Sequence, residues 1–149
     1  MTTTTPDATV PADLAEFIQH CHDGVAAQSG GNSEPLLALW SRRPDVSLMA
    51  ATNGYHVGFD QVSELLRAVG QGLRFATYEP EPLTTTVSAS GDLAYTVELE
   101  RMTGDNDGEP LEMTLRTTQV YRREDGDWRL VHRHAEALGP VSVDTGRGH

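Results

Sequence analysis

The segment from Leu111 to Glu136 constrains the fold most strongly. It contains two runs rich in Thr, Val, Tyr and Trp, separated by Glu124-Asp125-Gly126. An Asp-Gly pair between two such runs favours a β-hairpin, because glycine adopts the positive φ that a tight turn requires. An isolated hairpin is only marginally stable in water, so the sequence predicts that these strands belong to a larger sheet packed on other elements.

Composition excludes several classes of partner. The chain has 149 residues, a length that fits a single domain with its own core. Its 22 acidic residues against 11 basic ones give a formal charge of -11, so nucleic acid and anionic membrane surfaces are poor partners. Cys21 is the only cysteine, which excludes a disulfide framework and fits a reducing cytoplasm. No segment approaches the roughly 18 apolar residues of a membrane span, so we expect a cytoplasmic protein.

Helical periodicity ends before Leu73. It predicts a first amphipathic helix that stops at Gly30-Gly31-Asn32 and a short second helix between Ser33 and Pro44. Asp60 begins a third helix. The apolar faces of the first and third helices consist of Leu14, Phe17, Ile18, Cys21, Val25, Val62, Leu65, Leu66 and Val69.

The other segments have the pattern of strands and turns. We predict a short strand at 45–49, turns around 55–57, and strands at about 74–79, 83–90, 93–101, 111–122 and 127–136. Three helices followed by antiparallel strands predict an α+β fold in which the helices cover one face of a curved sheet. We expect a single domain over residues 12–138, between a disordered tail at 1–11 and a flexible tail at 139–149.

Side-chain alternation predicts which face of the sheet is buried. In the strands that start at Leu93 and Leu111, the odd-numbered positions are the more apolar ones. We therefore expect the odd positions to face the helices, and Glu98 and Glu100 to point away from them. Polar groups on a buried face need partners, which can be side chains, water or a ligand. The polar residues predicted on the inner face are Tyr95, Thr117, Gln119 and Tyr121.

Two registers of the last hairpin stay open. A three-residue loop with Gly126 as a bulge turns Arg133 inward and places His132 and His134 on the opposite face. The Asp-Gly chemistry favours this register, and we adopt it. A four-residue loop fits the apolar character of the strand better, and it would turn inward Trp128, Leu130, His132 and His134.

The order of the elements and two segments resemble the nuclear transport factor 2-like superfamily. Residues 118–134 are similar to the end of the calcium/calmodulin-dependent protein kinase II association domain and its bacterial SnoaL-like relatives, and Gly91-Asp92-Leu93-Ala94-Tyr95 also fits. The resemblance covers roughly residues 14–136. It implies a cone with a ligand pocket between the helices and the concave sheet, and a homodimer formed through the other sheet face. This fold hosts enzymes and non-enzymatic modules, so it specifies function poorly.

The resemblance and the strand pattern together suggest which residues form the site. By position, the resemblance places Trp40, Gln119 and the neighbourhood of Arg133 at the pocket, and Gln119 stands where some relatives hold Arg. The candidate base is His56, with Tyr95 as hydrogen-bond donor. The candidate ligand contacts are Trp40, Tyr55, Thr117, Gln119, Tyr121 and Arg133. The candidate interface positions are Arg116, Trp128, His132 and His134.

No cofactor motif or metal site is indicated. His132 and His134 lie two residues apart, but no third ligand has suitable spacing, which favours an interface role. Two function classes stay open. The first is a cofactor-independent isomerase, cyclase or lyase that acts on a small apolar metabolite by proton transfer. The second is a non-catalytic ligand-binding or oligomerisation module. An Asp, Glu or His side chain that opens into the pocket would favour the first class.

Overall fold

A computed structural model describes residues 10–51, 54–72 and 74–138, without the side chain of Asn106. The helices in these ranges are α1 (Ala12–Ser29), α2 (Glu34–Leu37) and α3 (Phe59–Gly72). The strands are β1 (Ser47–Met49), β2 (Tyr55–Val57), β3 (Thr77–Val87), β4 (Leu93–Asn106), β5 (Glu109–Glu124) and β6 (Asp127–Ala137). The predicted tails at 1–11 and 139–149 lie almost entirely outside the described residues.

The strands form a six-stranded sheet in the order β2-β1-β6-β5-β4-β3. Neighbouring strands are antiparallel, except that β1 runs parallel to β6. The helices pack against one face of this curved sheet, which confirms the predicted α+β architecture. Residues 55–57, expected around turns, instead form the edge strand β2 because they pair with β1.

The apolar face of α1 packs over the sheet at the end nearest the β5–β6 turn. Phe17 meets the ring of Tyr121 edge to face, with 5.9 Å between ring centroids. Burying such a side chain contributes on the order of 1.5–3 kcal/mol. The same cluster contains Leu14, Cys21, Val25, Leu36, Leu37, Trp40, Trp128 and Leu130, all nearly inaccessible to solvent. In the described part of the chain, no helix is both long enough and apolar enough to cross a membrane.

The buried face of β4 is the opposite of the one predicted. Thr96, Glu98 and Glu100 are at most 2% exposed, whereas Leu93 and Tyr95 are 45% and 41% exposed. The prediction that the two glutamates point away from the helices was therefore wrong. The concave face of the sheet carries two carboxylates in its interior.

The turn between β4 and β5 explains this reversal. Asp107-Gly108 has positive φ at both residues, 53° and 89°, and Asn106 pairs directly with Glu109. Residues that pair across an antiparallel ladder have their side chains on the same face. A two-residue turn therefore places odd positions of β5 beside even positions of β4, as in the pair of Thr117 with Glu98. The inward orientation predicted for β5 was right, and the orientation predicted for β4 was incompatible with it.

The last hairpin adopts neither of the two expected loops. Asp125-Gly126 forms a two-residue turn with φ values of 52° and 87°, and Glu124 pairs with Asp127. This register turns Trp128 and Leu130 into the core, where they are 4% and 0% exposed. The apolar character of these residues therefore indicated their orientation correctly.

A β-bulge at Val131 reverses the alternation further along β6, because the pairing with β5 skips this residue. Beyond the bulge, Arg133 and Ala135 face the helices and are each 6% exposed. His132 and His134 lie on the other face of the sheet, half-buried. Each expected register thus predicted the side-chain orientation correctly for one part of the strand, and the bulge joins the two parts.

Candidate functional site

A cavity of about 340 Å³ lies between the helices and the inner face of the sheet. This volume is within the usual range of small-molecule sites, about 300–1,000 Å³. Ala51, Ala68 and Gly72 are exposed and mark its opening. The cavity is lined by Val25, Gln28, Ser29, Leu36, Leu48, Ala50, Ala51, Leu65, Leu66, Ala68, Val69, Gly72, Phe75, Met102, Met113, Leu115, Arg133 and Ala135.

Arg133 is the one charged side chain among these lining residues. Its Nη2 donates to Glu100 Oε1 at 2.6 Å, and its Nη1 donates to Glu100 Oε2 at 3.1 Å and to Gln119 Oε1 at 2.8 Å. Burial opposes the charged form, but the Glu100 carboxylate outweighs this effect and raises the pKa of Arg133. The guanidinium is therefore a permanent cation held in a fixed orientation.

Glu100 lies behind Arg133 and does not itself line the cavity. Its side chain is 1% exposed, and Tyr78 Oη donates to its Oε2 at 2.8 Å. Burial would raise the pKa of Glu100, but Arg133 and the Tyr78 hydroxyl hold it below the ordinary value of 4.5. Burial and this carboxylate together raise the pKa of Tyr78. Glu100 is thus an ionised carboxylate whose oxygens already have donors.

The hydrogen-bond chain continues from Arg133 into the core. Gln119 Nε2 donates to Tyr121 Oη at 2.9 Å, and Tyr121 Oη shares a hydrogen bond of 2.7 Å with Thr96 Oγ1. Thr117 Oγ1 donates to the Glu98 carbonyl at 3.3 Å. The buried polar side chains of β5 are therefore satisfied by protein partners. Gln119 binds Arg133 directly, and none of these side chains lines the cavity.

Glu98, the second interior carboxylate, binds α1. His22 Nε2 lies 2.9 Å and 2.8 Å from its two oxygens, and the side chains of His22 and Glu98 are 14% and 3% exposed. Neither residue is part of the cavity wall. This pair connects a helix to the inner face of β4.

Gln28 contributes a polar group to the cavity wall from the end of α1. Its Nε2 donates to the Leu66 carbonyl at 2.7 Å, and its buried Oε1 has no hydrogen-bond partner among the described residues. Ser29, also in the wall, donates its hydroxyl to the Ala26 carbonyl at 2.8 Å. Arg133 is therefore the charged donor of the wall, and Gln28 Oε1 is a buried acceptor that solvent does not reach.

The structure does not bring the two candidate catalytic residues together. Tyr95 is on the outer face of β4, because the two-residue turn reverses the predicted alternation. His56 is half-buried on the edge strand β2 and is absent from the cavity wall. Two candidate ligand contacts are also elsewhere: Trp40 is 1% exposed within the core, and Tyr55 is 58% exposed on β2. Of the predicted ligand contacts, only Arg133 lines the cavity.

The candidate interface residues divide between the two faces of the sheet. Arg116 is exposed, and His132 and His134 lie on the outer face with it. Trp128 is in the core, so its proposed place in an interface was wrong. His132 Nδ1 is 2.8 Å from Ser47 Oγ, and burial together with His134 lowers the pKa of His132.

Sequence reasoning missed Glu100, Tyr78 and Gln28. Glu100 binds Arg133, Tyr78 donates to Glu100, and Gln28 is a polar residue of the cavity wall. The signal that could have identified Glu100 is Asp107-Gly108, since a two-residue turn fixes which positions of β4 share a face with Gln119. Among the described residues, no group of His, Cys, Asp or Glu has the geometry of a metal site.

Family and structural similarity agree with this geometry. The model of the SnoaL-like domain matches residues 18–137. A Thiobacillus denitrificans structure named for the calcium/calmodulin-dependent protein kinase type II association domain is 23% identical, covers 84% of this chain and 94% of its own, and has a TM-score of 0.69. A ketosteroid isomerase-like protein from Erwinia carotovora atroseptica is 18% identical over 87% and 98% of the two chains, with a TM-score of 0.71.

A nuclear transport factor 2-like superfamily protein from Salmonella enterica serovar Typhimurium is 20% identical over 96% of this chain and 99% of its own, with a TM-score of 0.69. At such identities the likeness shows the fold alone. No curated protein sequence matches the chain significantly.

Proposed function

The chain belongs to the SnoaL-like domain family, and we propose that it binds a small, largely apolar molecule in the cavity between its helices and its sheet. The observation that carries this proposal is the chemistry of the wall, which is apolar except for Gln28, Ser29 and Arg133. Small-molecule sites have this character, with apolar side chains for affinity and a few polar groups for orientation. The ligand's apolar body fills the cavity and its polar end meets Arg133.

Arg133 has the capacity to receive a ligand. A guanidinium carries five N–H groups, and three hydrogen bonds to Glu100 and Gln119 account for part of them. The remaining N–H groups have no partner among the described residues, so they are available to an oxygen of the ligand. A binding role is favoured over catalysis because no Asp, Glu or His is among the described lining residues.

A matched pair of phenylalanine substitutions on β6 tests binding. Ala135 is buried in the cavity wall, whereas Ala137, two residues further on, is exposed and outside it. Methyl naphthyl ketone is a suitable probe, since it is apolar with a single carbonyl oxygen. Calorimetric titration should show saturable binding to the wild type and to Ala137→Phe, and no binding to folded Ala135→Phe. Equal binding by both variants would place the ligand elsewhere and overturn the proposal.

The second candidate is a cofactor-independent isomerase, cyclase or lyase that works by proton transfer. Glu98 and Glu100 favour it, because they put carboxylates inside the cone. Both have protein partners, so either one needs to be released before it can act as a base. Deuterium exchange into the methyl group of methyl naphthyl ketone, followed by NMR, tests this candidate. Exchange that the wild type accelerates and Glu98→Gln does not would favour the enzyme over the binding module.

We also propose that the chain forms a homodimer through the outer face of the sheet. Leu93 and Tyr95 are large apolar residues exposed on this face, and Arg116, His132 and His134 share it. Exposed apolar residues clustered on one face are typical of protein interfaces. A cytoplasmic location stays a prediction from the cysteine content.

A further inference from the structure

We propose that Glu100 determines the ligand specificity of the cavity, by making it select neutral oxygen-bearing ligands over carboxylates. The inference rests on the proposed binding function and adds the charge class of the ligand. An arginine in an apolar pocket would by itself favour a carboxylate, because the two groups form a bidentate ion pair. In this cavity, Arg133 already has such a partner.

Arg133 and Glu100 form an ion pair whose two charges neutralise each other. Both oxygens of Glu100 accept from the guanidinium, at 2.6 Å and 3.1 Å, and the two side chains are 7% and 1% exposed. The positive charge that faces the cavity is therefore balanced a few ångströms behind the wall. A ligand at the open N–H groups meets hydrogen-bond donors and no net charge.

For a carboxylate, the unfavourable free energy of entering this cavity exceeds the favourable free energy of binding Arg133. It must leave its hydration shell to enter an apolar cavity, and that cost is much larger for an ion than for a carbonyl or a hydroxyl. Once bound to Arg133, it would also lie close to the like charge of Glu100, which is repulsive in a medium of low dielectric. A neutral oxygen accepts a hydrogen bond from Arg133 without either penalty.

Three matched probes test the inference: methyl naphthyl ketone, naphthoate and ethylnaphthalene, each substituted at the same ring position. They share one apolar body and differ in the charge and polarity of one group. By calorimetry at about pH 7, the wild type should bind the ketone at least about tenfold more tightly than naphthoate. Glu100→Gln keeps the shape of the side chain and leaves the Arg133 cation unpaired. It should shift the ratio of the two affinities toward naphthoate by about tenfold or more.

The double variant Glu100→Gln/Arg133→Gln covers the case in which the single variant does not fold. It removes both charges together, so the ratio of ketone to naphthoate affinity should stay within about threefold of the wild-type ratio. A large loss of naphthoate affinity in the double variant would show that Arg133 binds carboxylates in the wild type, and would overturn the inference.

The outcomes separate this inference from the proposed function. All three probes could bind, with the ketone and naphthoate bound equally tightly. That result would overturn the proposed selectivity and leave the proposed binding function intact. An unchanged affinity ratio in folded Glu100→Gln would do the same. If none of the three probes binds, or if Ala135→Phe binds all of them normally, both the pocket function and the selectivity are wrong.

Discussion

His22 Nε2 lies within hydrogen-bond distance of both carboxylate oxygens of Glu98, at 2.9 Å and 2.8 Å, and so joins α1 to the inner face of β4. Removing one partner leaves a buried carboxylate without its donor, which is more costly than the net strength of the bond.

His22→Ala should therefore destabilise the fold by roughly 1.5–3 kcal/mol, the range for hydrogen bonds to charged groups. Urea unfolding followed by circular dichroism measures this difference. His20 offers a matched control on the same helix, because its side chain is 54% exposed and 4.0 Å from an exposed Glu16. His20→Ala should change the free energy of unfolding by less than about 0.5 kcal/mol. Equal effects of the two substitutions would show that the His22–Glu98 contact contributes nothing.

The Arg133–Glu100 pair predicts how stability depends on pH. Burial raises the pKa of Glu100, yet Arg133 and Tyr78 hold it below 4.5 in the folded chain. A carboxyl whose pKa is lower in the folded chain than in the unfolded chain stabilises the folded state. This stabilisation is complete at pH values above the pKa of the unfolded chain, and it is lost as the pH falls through the pKa of the folded chain. The stability advantage of the wild type over Glu100→Gln should be constant from about pH 7 to about pH 5 and should shrink below about pH 4.5.

Urea unfolding across this pH range measures that advantage at each pH. Glu64→Gln, at an exposed position of α3, serves as the control and should show little difference from the wild type throughout. An advantage that stays constant down to about pH 3 would contradict the assignment of an ionised Glu100 paired with Arg133.

Local sequence signals were sufficient for the elements and the fold class. Apolar spacing predicted the helices, and Asp125-Gly126 predicted the last hairpin, because both depend on residues close together in the chain. The resemblance to SnoaL-like proteins is confirmed by the family match over residues 18–137. The orientation predicted for β4 was wrong because its apolar residues Tyr95, Val97 and Leu99 lie on the outer face. Its inner face carries the polar side chains instead, so apolar alternation indicated the wrong side of this strand.

The β4–β5 turn should be sensitive to loss of its glycine. Gly108 has a φ of 89°, a conformation that costs a residue with a side chain about 1–2 kcal/mol. Gly108→Ala should lower the free energy of unfolding by that amount. Gly72→Ala is the control, since an added Cβ there meets no atom within 4 Å and alanine favours a helix. It should leave stability unchanged or raise it. If both variants behave alike in chemical denaturation, the turn does not restrict the backbone as described.

The outer face of the sheet should mediate self-association. Tyr95→Asp introduces a charge on this face, and sedimentation equilibrium should show a monomer where the wild type is a dimer. Tyr55→Asp makes the same change at a residue that is 58% exposed on the edge strand β2. It should leave the dimer intact. Dissociation by Tyr55→Asp alone would instead indicate pairing of sheet edges, and a monomeric wild type would contradict the dimer altogether.

The cavity was harder to predict than the fold, because its key contacts join residues distant in sequence. Arg133 faces inward only because of the bulge at Val131, and its partner Glu100 faces inward only because of the turn at Asp107-Gly108. The bulge and the turn each decide whether the odd-numbered or the even-numbered side chains of a strand face the helices. A change of one residue in the pairing moves every following side chain to the other face of the sheet. The unsatisfied acceptor of Gln28 left no signal in the sequence, since its partners depend on how α1 meets α3.

A crystal structure of the wild type with methyl naphthyl ketone tests the central claim most directly. The binding proposal predicts the naphthyl rings inside the cavity beside Leu66 and Ala135, with the carbonyl oxygen about 3 Å from a guanidinium nitrogen of Arg133. Glu100 should keep both of its hydrogen bonds to Arg133 in this complex. A ligand bound on the outer face of the sheet, or one in the cavity with its carbonyl directed away from Arg133, would contradict the account.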